Sequence, residues 1–554
     1  MRVNKKNNRG VTLIALVVTI IVLLILAGVA ITLSIGDNGI FKRAGQATNA
    51  WEEASRNETE GMNSVVDIID SINGGNSGGG SEKEERNKPN APSLKTGMTP
   101  VKFNEATTSK KGEIVKTTKE DKDWYSYENK KWANAETQDG SMWVWIPRYA
   151  YKINSDTQTT DIVFLEGTSD NYYDEQGKIQ TAKRCKSVDE KVDTTTGYTV
   201  HPAFTDESNI GFRNGGWDKE LTGIWVAKFE AAYATSGETQ NNAPVKESSI
   251  VYTMPNVWAP TIEVKGVKPD ATGDAHIPAR NWLDGVYEVN KEKIKYPTFQ
   301  GSSYSMNYTS INDANNISRA LIENGNIYGL SAADTDSHLM KNSEWGACAY
   351  LCKSTKYGIG SNDIGQNTKN LNNGGVSTTK EQGNTKASVY VVTGYNSNNN
   401  EWNDYLGSNR SSSTTGNIYG IYDLSGGHYE RIASYINNGN DILNQGTSVV
   451  IGQDKSTKYA TVYPHSDVGN TDDEKSAANY KLNDKIYGDS VRETSTKGSG
   501  NNGWYTDNSS YPRTDAPFFY RGGSYYEDAA AGISTFRRND GQTHWHNGFR
   551  SVLV

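Results

Sequence analysis

Arg521-Gly-Gly-Ser-Tyr-Tyr-Glu-Asp-Ala-Ala-Ala-Gly-Ile-Ser-Thr-Phe-Arg-Arg-Asn-Asp-Gly-Gln-Thr-His-Trp-His-Asn-Gly-Phe-Arg550 reads as a rigid frame carrying a face. Gly522, Gly523 and Gly548 suit tight turns and close backbone packing, and Phe549 belongs to the same frame. Arg521 and Arg550 present fixed forks of donors that fit loop carbonyls, a structural role. Between them Tyr525, Tyr526, Glu527, Asp528, Thr535, Arg537, Arg538, Asn539, Asp540, Gln542, His544, Trp545, His546 and Asn547 are almost all large or polar. They alternate with small residues at Ala529 to Ile533, Gly541 and Gly548. Tyr, Trp and Arg on a small-residue scaffold have the composition of a paratope, so these fourteen are the candidate ligand-binding residues. The alternative is an ordinary polar surface. His544 and His546 would share one face of a strand near His428, Glu527 and Asp528, but the spacing is too weak to assign a metal. No Ser/His/Asp order, phosphate loop or paired-carboxylate arrangement stands out anywhere in the chain.

Two other stretches share this character. His338-Leu-Met-Lys-Asn-Ser-Glu-Trp345 resembles a helix opening of the formylglycine-generating enzyme family, and Gly416-Asn-Ile-Tyr-Gly-Ile-Tyr-Asp-Leu-Ser-Gly-Gly-His-Tyr-Glu-Arg431 resembles that family's central box. Arg521-Gly-Gly-Ser-Tyr525 and Gly548-Phe-Arg550 resemble its closing elements, so the likeness runs in order over roughly residues 140 to 554. It implies a C-type-lectin-like fold, a small twisted β core covered by two helices and much loop, within an α+β chain. The family works through a cysteine pair between the two closing elements, and residues 525 to 547 hold no cysteine. No enzyme is therefore expected; the rival is a descendant of that fold with changed chemistry. The segment 521–550 also resembles the variable region of proteins targeted by diversity-generating retroelements, where mutated template adenines turn Asn codons into Tyr, Asp, His, Ser, Thr or Arg. Glu527, Gln542 and Trp545 would need other template codons. The resemblance implies a protein or glycan ligand on this face and no cofactor, with calcium left open because many lectin-like domains bind it.

At the other end Val11 to Ile35 is twenty-five residues without a charge, behind a leader carrying Arg2, Lys5, Lys6 and Arg9 and ending in Gly10. Such a run suffices for a membrane helix across a ~30 Å hydrocarbon core, and the leader's charges would keep the N-terminus cytoplasmic and the rest outside. Arg9-Gly-Val-Thr-Leu-Ile-Ala-Leu16 resembles the type IV prepilin signature, which implies cleavage after Gly10 and methylation of Val11. Ala15 stands where such pilins usually carry glutamate, a pattern similar to tip-located minor pilins; the alternatives are an uncleaved anchor and a purely structural fibre subunit. Apolar positions from Ile40 to Ile72 recur near every third and fourth residue, which predicts that the helix continues as a spine of about 90 Å, or that a separate juxtamembrane helix follows. Residues 73–95 read as a Gly/Ser-rich and then charged linker, and 96–554 as the extracellular domain. The partners implied are the membrane through Val11–Ile35 and other pilin subunits, at a bacterial surface or in an extracellular fibre.

Composition narrows the rest. The 554 residues include 54 Gly, 32 Tyr and 13 Trp but only 11 Phe, which favours turn-rich β structure with amphipathic rings. A net charge of −8 argues against nucleic acid as a partner. Cys185, Cys348 and Cys352 cannot all pair, and Cys348 and Cys352 lack the further ligands of a zinc site, so they read as buried thiols. Met142–Lys152 and Ile224–Glu230 predict strands, 311–324 and 338–353 helices, and 354–416 long loops around a strand at Ala387–Thr393.

Overall fold

Short runs of rings and β-branched side chains become the centre of a wide sheet. The computed structural model describes residues 86–554 except 108–109, 186–189, 207–214, 233–251, 255–261, 265–287, 290–291, 294–296, 304, 307–308, 362–374, 378–388, 392, 395, 399–400, 404, 408–409, 411, 451–457, 525–526, 528–529 and 543–545. Its strands are β1 (Thr99–Asn104), β2 (Glu113–Lys116), β3 (Asn134–Glu136), β4 (Met142–Pro147), β5 (Tyr149–Asn154), β6 (Thr159–Phe164), β7 (Asn171–Tyr173), β8 (Ile179–Thr181), β9 (Thr199–Val200), β10 (Gly223–Ala227), β11 (Ser337–Leu339), β12 (Tyr429–Ile436), β13 (Thr461–Tyr463), β14 (Phe518–Arg521), β15 (Phe536–Asn539), β16 (Asn547–Phe549) and β17 (Ser551–Leu553). Small hairpins elsewhere include Gly375–Ser377 paired with Val389–Val391, the centre of the strand expected at 387–393. The α-helices are α1 (Ile311–Arg319), α2 (Asn342–Lys353) and α3 (Asp472–Leu482).

A seven-stranded sheet runs β11-β17-β10-β4-β3-β1-β2. At its centre every residue of β4 and β10 is buried, with Trp145 opposite Trp225. Strands covered on both faces are apolar throughout, which is why Met-Trp-Val-Trp-Ile-Pro does not alternate. A second sheet runs β13-β12-β14-β15, with β16 along the first half of β12, and a third runs β6-β5-β9. The stretch expected as one strand, Met142–Lys152, divides at Pro147, whose missing N–H ends the ladder. Arg148, fully buried, then crosses to the third sheet, its guanidinium on the Phe204 carbonyl (2.9 Å), Glu220 (2.6 Å) and Asp170 (2.8 Å).

The α+β expectation is corrected: the described residues are predominantly β, with helices of only nine, twelve and eleven residues. None of these is long and apolar enough to cross a membrane. The expected leader with Gly10 and Val11, the anchor and the long helix over 11–72 lie outside the described residues. His338, expected to open a helix, belongs instead to β11 beside Val552, and the helix begins at Asn342. The reason is local: the Glu344 carboxylate accepts the Lys341 N–H (2.8 Å), closing the helix N-terminus there. All twelve residues of α2 are buried, so it is a core helix without a polar face.

The compact unit starts earlier than position 96. Residues 86–95 lie along it, with the Asn90 amide donating to the carbonyls of Leu165, Gly167 and Thr222 (3.0 Å each) and accepting from Gly167 N–H (2.7 Å). Trp145 and Trp225 donate their indole N–H groups to the carbonyls of Asn90 (3.0 Å) and Ser93 (2.7 Å).

Candidate functional site

The frame of the closing segment is built from buried arginines. Arg550 forms a two-pronged pair with Glu430 (Nε 2.9 Å, Nη2 2.7 Å) and donates to the carbonyls of Ala227 (2.7 Å) and Tyr422 (2.9 Å). Burial opposes its charge, but Glu430 beside it raises its pKa overall. Arg521 donates to the carbonyls of Asp489 (3.1 Å) and Ser490 (2.9 Å), and burial pushes its pKa down to about 10. Gly522 and Gly523 turn the chain with φ of 81° and 76°, and a Cβ on Gly523 would stand 2.4 Å from that of Ala531. Gly548 and Phe549 lie in β16, alongside Glu430 and Arg431.

On this frame β14 and β15 pair antiparallel, Tyr520 opposite Arg537 and Phe519 opposite Arg538, while β16 sets Asn547 beside Tyr429. A polar cleft of about 370 Å³ opens at this edge, lined by Tyr429, Arg513, Asp515, Ala516, Tyr520, Arg537, Arg538, Asn539, Asp540 and His546. Tyr429 and Tyr520 stack at 5.1 Å and 15°, and the His546 ring meets Tyr429 edge-on at 4.9 Å. Arg537 lies over the Tyr429 ring (5.3 Å), bonds its hydroxyl and pairs with Glu527. Arg431 lies over the Tyr520 ring (5.2 Å). Two guanidinium–ring contacts therefore fix the tyrosine stack. At the rim Arg513 pairs with Asp515 (2.5 Å) and lies 2.7 Å from Asp472; burial pulls its pKa down, and these carboxylates raise it to a net upward shift. Arg538 is pushed down by burial and by Arg513.

Five of the fourteen candidates, Arg537, Arg538, Asn539, Asp540 and His546, thus meet in one cleft, and Glu527 braces the first of them. Gln542 is exposed on the neighbouring turn. Thr535 and Asn547 are buried and do not line the cleft, Thr535 donating to the Ala530 carbonyl (2.9 Å) and Asn547 to that of Gln542 (3.4 Å). Asn539 is also buried, at the cleft floor. Tyr525, Tyr526, Asp528, His544 and Trp545 lie outside the described residues. Tyr429, Tyr520, Arg513, Asp515 and Ala516 were missed by sequence reasoning. A usable signal existed for Tyr520, which directly precedes the Arg-Gly-Gly-Ser frame, and none for the turn at 513–516.

His428 sits in the core rather than at the surface, its pKa pushed by burial to about 3 and its ring nitrogens unpartnered. Among the described residues no group of three or more His, Cys, Asp or Glu is arranged to hold a metal. Cys185, Cys348 and Cys352 are buried and form no disulfide among the described residues, and burial pushes the Cys352 thiol to about 12. No family model matches the chain, and no curated protein matches it either.

Proposed function

We propose that this is a surface-displayed ligand-binding protein, an adhesin or receptor, that binds through the cleft at the β14–β15 edge. It is not an enzyme on this reading. The observation that carries the proposal is the convergence of Arg537, Arg538, Asn539, Asp540 and His546, scattered over ten positions, on one cleft backed by the Tyr429–Tyr520 stack. The frame beneath is held by Arg521 and Arg550, so the outer side chains can change without disturbing it. That division of labour is what a retroelement-diversified face requires, and it supports kinship with the variable proteins and, more distantly, with the formylglycine-generating enzymes. The apolar run Val11–Ile35 would attach the chain to a membrane or to other pilin-like subunits, with processing between Gly10 and Val11.

Sequencing the DNA around the 3′ end of the gene in several isolates tests the central claim. A nearby near-copy differing mainly at adenines, beside a reverse transcriptase gene, is expected, with differences at the codons of the cleft's outer residues and not at Arg521 or Arg550. An identical segment in every isolate with no such copy would overturn diversification. Mass spectrometry of the mature N-terminus tests the processing: Val11, methylated, is expected, and Met1 or Arg2 would refute it.

A further inference from the structure

We infer that Asn324 is a site of self-modification, where the chain's own backbone converts the side-chain amide to a carboxylate, as aspartate or isoaspartate. Gly325 supplies the nucleophile. An Asn-Gly pair can close on itself because glycine has no Cβ to hold its amide nitrogen away from the preceding side chain. Four such pairs lie within the described residues, at 324, 438, 502 and 547, and the fold leaves one of them ready. Asn547 is buried in β16 and donates to the Gln542 carbonyl (3.4 Å). At Asn502 the nucleophile is engaged, since the Gly503 N–H donates to the Asp507 carbonyl (2.9 Å), and the side chain is held on the Ser499 carbonyl (2.5 Å). Asn438 is pinned at both ends of its amide, donating to the Thr514 carbonyl (2.8 Å) and accepting from the Asn440 N–H (3.0 Å). Asn324 and Gly325 are both exposed, and neither the Asn324 side chain nor the Gly325 N–H has a hydrogen bond among the described residues. A Cβ built on Gly325 would meet nothing within 4 Å, so the space around the nitrogen is open.

The reaction needs only water. The Gly325 nitrogen gives its proton to solvent and bonds to Asn324 Cγ, the Cγ–Nδ2 bond breaks, and ammonia leaves. Water then opens the five-membered imide at either carbonyl, which returns aspartate by one route and isoaspartate by the other. Each product adds a negative charge beside Glu323, and isoaspartate also adds an atom to the main chain. The Asn326 N–H closes the turn on the Glu323 carbonyl (3.1 Å), so that bond is the one the longer chain strains. Below it the Asn326 side chain ties the Glu323 and Leu330 carbonyls (2.9 and 2.8 Å), and the Tyr328 hydroxyl donates to the Pro297 carbonyl (2.5 Å). The change therefore stays at the tip, and the protein matures into a more negative form without unfolding.

The test is peptide mapping by mass spectrometry of the full chain aged in mildly alkaline buffer, once folded and once in urea. In the folded chain the tryptic peptide Ala320–Lys341 should gain one mass unit at Asn324 about tenfold or more faster than Asn438, Asn502 or Asn547 convert, because those three must first open locally. In urea all four should convert at similar rates, since only the fold separates them. Ageing in oxygen-labelled water should carry one label into the product, and fragmentation should find isoaspartate beside aspartate. Asn324→Gln, whose longer side chain cannot close the five-membered ring, should leave that position unmodified and thermal unfolding unchanged. Conversion of Asn438, Asn502 or Asn547 as fast as Asn324 in the folded chain overturns the selection by structure. Aspartate with no isoaspartate overturns the imide step. An Asn324 that converts in urea and stays intact in the folded chain overturns the inference.

Discussion

The centre of the molecule and the β14–β15 edge are made from the same residue types and put them to opposite uses. At the centre Arg550 directs Nε, Nη1 and Nη2 at Glu430, Ala227 and Tyr422, and Lys228 gives its ammonium to Asn134 Oδ1 (2.8 Å) and the carbonyls of Ile418 (2.6 Å) and Gly420 (2.9 Å). At the edge Arg538 makes one long hydrogen bond among the described residues, to Ser476 Oγ (3.3 Å), and Asn539 Nδ2 is buried with no partner among them. The centre is not satisfied throughout, since Arg521 Nε and both His428 ring nitrogens are also buried without a partner among the described residues, so the contrast lies between Arg550 and Lys228 on one side and Arg538 on the other. Mutation should separate the two uses by the size of the stability change.

The largest change is expected at Arg550→Met, which strands the fully buried Glu430 without its partner. Loss of one member of a buried pair costs about 3–5 kcal/mol, and denaturant titration of the protein reads it. Lys228→Met should follow at about 3 kcal/mol, because three buried acceptors lose their donor while the new side chain fills similar volume. A loss below about 1 kcal/mol at either would mean that the core networks do not hold the frame.

His428 sharpens the comparison through pH. In the fold its pKa is pushed down from 6.5 to about 3 by burial, so the native state refuses a proton that the unfolded chain accepts. Its contribution is complete above pH 6.5 and lost as pH falls towards 3, by about 1.4 kcal/mol for each unit below 6.5. His428→Phe should therefore close on the wild type in thermal unfolding as the pH is lowered from 7 to 4.5. His201, also buried and pushed down to about 3, would keep its own share of acid sensitivity in the variant. A gap between variant and wild type that stays constant with pH would place a charged His428 in the fold.

What the sequence made legible follows the same division. Frame residues were readable because their constraint is local: two glycines at positive φ and an arginine fork need little context. The strands at Met142 and Ile224 were readable as apolar runs, but whether the rings faced solvent was not. Trp124, Trp132, Trp143, Trp145, Trp217, Trp225 and Trp345 all went to the interior, five with indole N–H groups on backbone carbonyls. An amphipathic ring satisfied by a distant carbonyl looks the same in sequence as one satisfied by water. Helical content was overestimated because β11 and α2 meet without a break in 338–353, and only the Glu344 cap at Lys341 divides them. The lining of the cleft was half legible. Composition marked the segment, but Thr535 and Asn547 share that composition and point inward, and Tyr429 and Arg513 reach the cleft from distant strands and turns, which is pairing information.

The smallest stability change is expected at Arg538→Gln, and it carries the comparison's sharpest edge. Burial and the neighbouring Arg513 act against the Arg538 charge while Asp473 and Asp472 favour it, and its one hydrogen bond among the described residues, to Ser476, is long. Removing the charge relieves the burial cost and the Arg513 repulsion but forfeits the attraction of Asp473 and Asp472, and it leaves β15 paired through its backbone to β14, so the change should stay within about 0.5 kcal/mol of zero, of either sign. The matching Arg550 variant removes the same group from the centre at several times that cost. If Arg538→Gln instead destabilised by more than about 1.5 kcal/mol, its guanidinium would be part of the frame, and the contrast between Arg550 at the centre and Arg538 at the edge would fail at the residue on which it most depends.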